Sequence, residues 1–138
     1  NREQAGVILY NIGARAFQAA QDTAAAARLH QAEKLEMAIS ALSRAQPIVS
    51  PELAPRVALF LGYAQLLTVA ALDQQAEQNR ACAPAQALDS LLTRASDNLR
   101  AGQAIDSARV APILENTLPQ YRIRARALVN TICNARRP

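Results

Sequence analysis

Val57-Ala-Leu-Phe-Leu-Gly-Tyr-Ala-Gln-Leu-Leu-Thr-Val-Ala-Ala-Leu72 is the most apolar stretch of the chain, interrupted only by Gly62, Gln65 and Thr68. It spans sixteen residues, half of them small or polar, whereas a helix crossing a bilayer needs about 20 predominantly apolar ones. It therefore reads as a buried core helix, with no transmembrane segment. Two stripes at helical spacing run along it, Val57, Phe60, Ala64, Leu67 and Ala71 on one side and Leu59, Tyr63, Leu66 and Ala70 on another. A helix apolar on two sides must be covered on two sides, which makes it the centre of the fold.

The flanks define the ends of this helix. Ser50-Pro51-Glu52 reads as a start, with Ser as cap, Pro in the first turn and an acid near the amino end. Beyond Leu72 the run Asp73-Gln-Gln-Ala-Glu-Gln-Asn-Arg80 is polar, so the end of the helix, near residue 79, is expected to project into solvent.

Further out, four more helices follow from apolar period and punctuation. The first covers about 3–22, with Ile8, Leu9, Ile12, Ala16, Phe17 and Ala20 on one face. A turn near 22–24 precedes a second at about 24–46, whose seam is Leu35, Ala38, Leu42, Ala45 and Val49, widened by Ile39 and ended by Pro47. The fourth covers about 84–102, with Leu88, Leu91, Leu92, Ala95 and Leu99, and Gly102 is placed to end it. Asp106-Ser107 can cap the fifth, which carries Leu114, Leu118, Tyr121, Ala125, Leu128 and Ile132. Pro119 should kink or break it. Short links between helices make sequential neighbours antiparallel.

Composition agrees. Ala supplies 31 of 138 residues, Gly 4, Trp none and aromatics 4%, which favours helix and excludes an all-β or α/β fold. With 51% hydrophobic and 19% charged residues, the chain has the means to bury a core and is not a disordered one. The expected fold is a single all-α domain over 1–138, an antiparallel array of about five helices. Gly6 and Gly13 on the first helix and Gly62 on the third mark places where helices approach closely. Fourteen Arg against a single Lys, Lys34, together with the Ala excess, point to a GC-rich bacterial genome.

The net charge of +4 is not spread evenly: residues 1–115 carry ten basic and eleven acidic side chains, while 116–138 carry Arg122, Arg124, Arg126, Arg136 and Arg137 and no acid. Basic side chains near a helix C-terminus complement its dipole; Arg122, Arg126 and Arg136 are the candidates for a surface that meets an anionic partner. Cys82 and Cys133 lack the neighbours of a zinc, redox or haem motif. If the third, fourth and fifth helices alternate in direction, both cysteines fall at the same end of the array. A disulfide follows, and with it an oxidising compartment, periplasmic or secreted. A chain opening at Asn1 rather than Met reads as a processed start, its signal peptide removed.

Catalytic signals are sparse. His30 is the only His, Glu33 and Glu36 share a face with Lys34 between them, and Asp73 and Glu77 lie one turn apart, all most simply read as solvated. No Gly-rich phosphate loop or nucleophile elbow is present, and nothing calls for a cofactor or a metal. Nucleic-acid binding lacks aromatic platforms, since only Tyr121 lies among the C-terminal arginines and its spacing assigns it to the apolar stripe.

Tyr10-Asn11-Ile12-Gly13 followed by Phe17 resembles the first helix of a tetratricopeptide repeat, and Ala38-x3-Leu42-x2-Ala45 leading to Pro47 and Pro51 resembles its second helix and closing Pro. Leu61-Gly62-Tyr63 could open another repeat. The resemblance covers about residues 10–63, with a longer interval between Gly13 and Ala38 than the repeat has. It implies stacked helical hairpins and a surface that binds a peptide or protein, without catalysis. The architecture is thus either a bundle or such a stack. The function expected is a non-catalytic protein-interaction or scaffold domain of an exported bacterial protein. Its alternative is a helical domain holding a small apolar ligand, with an enzyme third.

Overall fold

The computed structural model describes residues 1–21 and 30–134. Within them the chain forms helices and no strand: α1 (Arg2–Ala20), α2 (Gln31–Ala45), α3 (Ala54–Asn79), α4 (Cys82–Gly102) and a composite α5. The last is built from Ser107–Pro112, a π turn at Ile113–Thr117, Leu118–Leu128 and a second π turn at Val129–Cys133. Backbone angles stay helical through the junctions, −64° and −47° at Ile113 and −66° and −44° at Leu118. The interruption expected at Pro119 takes the form of a π turn just before it, without a break in the helical backbone. Pro119 lacks an amide hydrogen and crowds the carbonyl one turn earlier, and the wider turn, closed by Leu118 N–H donating to the Ile113 carbonyl, accommodates both. The expected turn near 22–24 and the start of the second expected helix lie outside the described residues.

Contacts fix the directions of the helices. Gly6 of α1 lies against Val49 and Gly13 against Leu42 of α2, so rising numbers on one helix meet falling numbers on the other. The same holds for α3 and α4, where Gly62 faces Leu99 and Leu59 faces Gly102, and for α4 and α5, where Asp89 meets Arg122 and Cys82 meets Cys133. Sequential neighbours are antiparallel, and α3 lies parallel to α5, with Tyr63 near Asp106 and Asp73 near Arg124.

The core is a set of Leu and Val side chains set among alanines. Leu42, Leu61, Leu88, Leu92, Leu99, Val57, Val69 and Val110 are fully buried, and so are Ala38, Ala45, Ala64, Ala76 and Ala95. α1 adds the aromatic part: Phe17 stacks on Tyr63 with ring centroids 6.0 Å apart and meets Phe60 edge-on at 5.6 Å. Small residues let helices approach so closely that few rings are needed to fill the space.

Several elements depart from expectation. The buried side of α1 is Gly6, Gly13, Ala16, Phe17 and Ala20, whereas Ile8 is 58% and Ile12 44% exposed. The close seam against α2 selects small residues, and none of the described elements covers the branched ones. The regular part of α3 begins at Ala54 with Pro55 in its first turn, three residues later than Pro51. Ser50 contributes its backbone carbonyl, which accepts from Leu53 and Ala54 N–H, to a turn that precedes the helix. The far end of α3 is partly covered rather than solvated, since Asp73 is only 6% exposed and Ala76 is fully buried. At 26 residues α3 is long and apolar enough, by length and composition alone, to cross a membrane; half of its most apolar window is buried against the other helices.

Gly102 does not terminate α4 through a left-handed turn; its φ is −98°. It is needed for proximity instead. A Cβ at this position would sit 2.8 Å from the Leu59 Cα and from the Pro55 carbonyl oxygen. The left-handed residue is Arg80, with φ 50° and ψ 42°, which ends α3 and, with extended Ala81, turns the chain into α4.

Candidate functional site

At one end of the array the link between α3 and α4 meets the last turn of α5, and Cys82 and Cys133 form a disulfide with Cα atoms 5.0 Å apart. In the loop-entropy picture a bridge closing this loop restricts the unfolded chain by about 4 kcal/mol. It ties the end of α5 to the start of α4.

Of the expected anion-facing residues, Arg122 and Arg126 lie one turn apart on α5. Arg122 already engages α4, with Nη1 donating to Asp89 Oδ1 and Nη2 to Thr93 Oγ1, both at 3.3 Å. Arg126 lines a groove of about 400 Å³ between α4 and α5 with Ala85, Gln86, Asp89, Val129 and Asn130. It has no ion pair among the described residues. Arg136 lies outside the described residues.

Arg124 points to the other side of α5 and makes a polar contact that was hidden in the sequence. Its Nε donates to Asp73 Oδ2 at 2.9 Å, and Nη2 reaches both Asp73 Oδ1 and Glu77 Oε2, the latter at 3.0 Å. The hydrogen bond to Asp73 is the largest reason that the guanidinium holds its proton more tightly than usual, followed by that to Glu77. Asp73 and Glu77 one turn apart repel in isolation; a single Arg on a helix distant in sequence converts them into a clamp between α3 and α5. The only signal available beforehand was the spacing of the two acids.

A second clamp sits near the opposite end of α5. Tyr63 Oη donates to Asp106 Oδ2 at 2.7 Å, and Arg109 lies over the Tyr63 ring at 5.8 Å from its centroid. Burial, then the bond to Asp106, pushes the phenol pKa up to about 12. Asp106 precedes α5 as expected, but its carboxylate makes no capping bond; it is taken by Tyr63. A third polar contact is a ladder across three helices, Gln46 Nε2 donating to Asn98 Oδ1 at 2.7 Å and Asn98 Nδ2 to buried Gln65 Oε1 at 2.9 Å. These groups work as structural fastenings.

The remaining feature is a groove between α2 and α3, with a volume of about 460 Å³. One wall is Ala32, Leu35, Glu36, Ile39 and Ser40, and the other is Thr68, Ala71, Leu72 and Gln75. Each wall repeats at helical spacing, so the groove follows the line where two antiparallel helices touch. Leu35 at its floor is buried, Ile39, Thr68 and Leu72 are half-buried, and Ala32, Glu36, Ser40, Ala71 and Gln75 are exposed along its lips. The groove is thus open to solvent along one side. Helical spacing places Ile39 and Ala71 in core stripes, but both line this trough instead.

His30 lies 3.5 Å from Glu33 through Nδ1, both largely exposed. Among the described residues no three His, Cys, Asp or Glu side chains come together in a way that could hold a metal ion. Comparison of the chain with protein-family models, with curated proteins and with solved structures found no match.

Proposed function

We propose that this chain is a non-catalytic protein-interaction or scaffold domain of an exported bacterial protein. The observation that carries the reading is the half-open apolar groove between α2 and α3, lined among the described residues by two helices alone. Apolar troughs of this kind suit the apolar face of another helix, recognised at i, i+3, i+4 and i+7. The disulfide is compatible with an oxidising compartment. Gly13 lying against Leu42 and the Ala38 carbonyl makes α1 and α2 a closely packed hairpin, an arrangement that a tetratricopeptide-like stack would also use. In the same reading Arg126, at the lip of the α4/α5 groove, is the cation best placed to meet an anionic group of a partner.

The second reading, a small apolar ligand, draws on the same groove, whose volume lies within the usual range for such sites. Small-molecule sites bury most of their ligand, and a trough open along one side favours the helix. A photo-crosslinking residue at Ala71, with a control at Ala127, decides between them in an envelope extract. The expected result is one protein crosslinked from position 71 alone, which then binds the purified chain in a two-component assay. A small molecule retained in native mass spectrometry, with no protein captured, would overturn the first reading in favour of the second.

A further inference from the structure

We infer that the α2/α3 groove takes a cationic amphipathic helix, an inference that rests on the interaction-domain reading and specifies the partner's chemistry. The groove lies in the part of the chain, residues 1–115, that carries ten basic and eleven acidic side chains; no Lys or Arg lines it, and its one charged lining residue is Glu36. Glu36 has no ion pair among the described residues. Glu33, one turn before it and 3.5 Å from His30 Nδ1, is a second exposed carboxylate on α2, flanking the groove rather than lining it. On the facing wall Gln75 is a lining residue, with exposed Gln74 and Gln78 beside it. These amides accept hydrogen bonds from ammonium or guanidinium groups without competing charge.

The geometry sets the occupant's shape. Small side chains at Ala32, Ser40 and Ala71 keep the lips low, while Leu35, Ile39 and Leu72 present a continuous apolar floor. A helix laid along it would place its apolar stripe on that floor and basic residues on the flank facing Glu33 and Glu36. Charge complementarity of this kind selects the partner and its orientation more than it adds affinity.

The probe is a fluorescein-labelled 18-residue helical peptide of Leu and Lys, with Leu at i, i+3, i+4 and i+7, and a companion in which every Lys is Glu. Fluorescence anisotropy on the disulfide-bonded chain should show the Lys peptide binding about tenfold or more tightly than its Glu companion, on the scale of two exposed ion pairs. The double variant Glu33→Lys, Glu36→Lys should remove that preference, and Ala71→Trp, which fills the trough from an exposed position, should abolish binding of both. Glu115→Lys reverses an exposed acid far along the chain and should change nothing. Circular dichroism and melting of each variant verify folding.

Equal affinities for the two peptides, an equal effect of Glu115→Lys, or binding unaffected by Ala71→Trp would overturn the proposal. A partner crosslinked at Ala71 through an acidic segment would overturn the charge assignment while leaving the interaction-domain reading intact.

Discussion

At the scale of single residues, the fold depends on side chains that are absent or fully engaged. Gly102 is the clearest case. Ala is better than Gly in a helix by about 1 kcal/mol, so Gly102→Ala would stabilise a solvent-facing position. Here the added methyl meets the backbone of α3 at Leu59 and Pro55, which cannot rotate away, and overpacking of this kind costs about 1–3 kcal/mol. Urea denaturation should show a net loss of stability; a gain would contradict the packing described. Tyr63 offers a test in pH. Its phenol is held neutral in the folded state up to about pH 12, whereas in the unfolded chain it ionises at about pH 10. Below the lower value both states are protonated and the group gives no pH dependence. Between the two the unfolded state loses its proton first, so stability falls as pH rises. That fall should be absent in Tyr63→Phe, which should also be less stable at neutral pH by about 1 kcal/mol for the lost bond to Asp106.

At the scale of elements, the helices and most of their buried faces were readable in advance. Periodicity identified the seams of α2, α4 and α5, because an apolar stripe on a helix packed from one side is a strong pattern. The directions of α3, α4 and α5 brought Cys82 and Cys133 to one end. What escaped was whatever another element had to supply. The polar run after Leu72 reads as solvated until Arg124 arrives to meet Asp73, and Ser50 reads as a cap although the chain makes another turn first. On α1 an evident stripe containing Ile8 and Ile12 lost to a glycine seam, since close approach to α2 outweighed bulk. The disulfide allows a direct test at this scale. Reduction and alkylation of Cys82 and Cys133 should lower stability by about 4 kcal/mol and speed hydrogen exchange in the last turns of α5 before that of α3. Uniform loosening of all helices would show that the bridge is not a local clamp.

At the scale of the whole molecule, α3 is held by helices on several sides: α2, α4 and α1 pack against it, and α5 reaches it through the Tyr63–Asp106 and Asp73–Arg124 contacts. Along the line between α2 and α3 the described residues leave a trough of about 460 Å³, floored by buried Leu35 and half-buried Ile39 and Leu72. The sequence showed that small residues would line seams between helices; it did not show which seams would stay uncovered, because that depends on how the described helices share the space around α3. The central claim is that the α2/α3 seam is the recognition surface. The most direct measurement is a ¹H–¹⁵N correlation spectrum of the disulfide-bonded chain titrated with the Leu and Lys peptide. The account predicts shift changes concentrated at Ala32, Glu36, Ile39 and Ser40 of α2 and at Thr68, Ala71, Leu72 and Gln75 of α3. Changes concentrated instead around Val7, Ile8 and Ile12, or around Arg126 and Asn130, would contradict it.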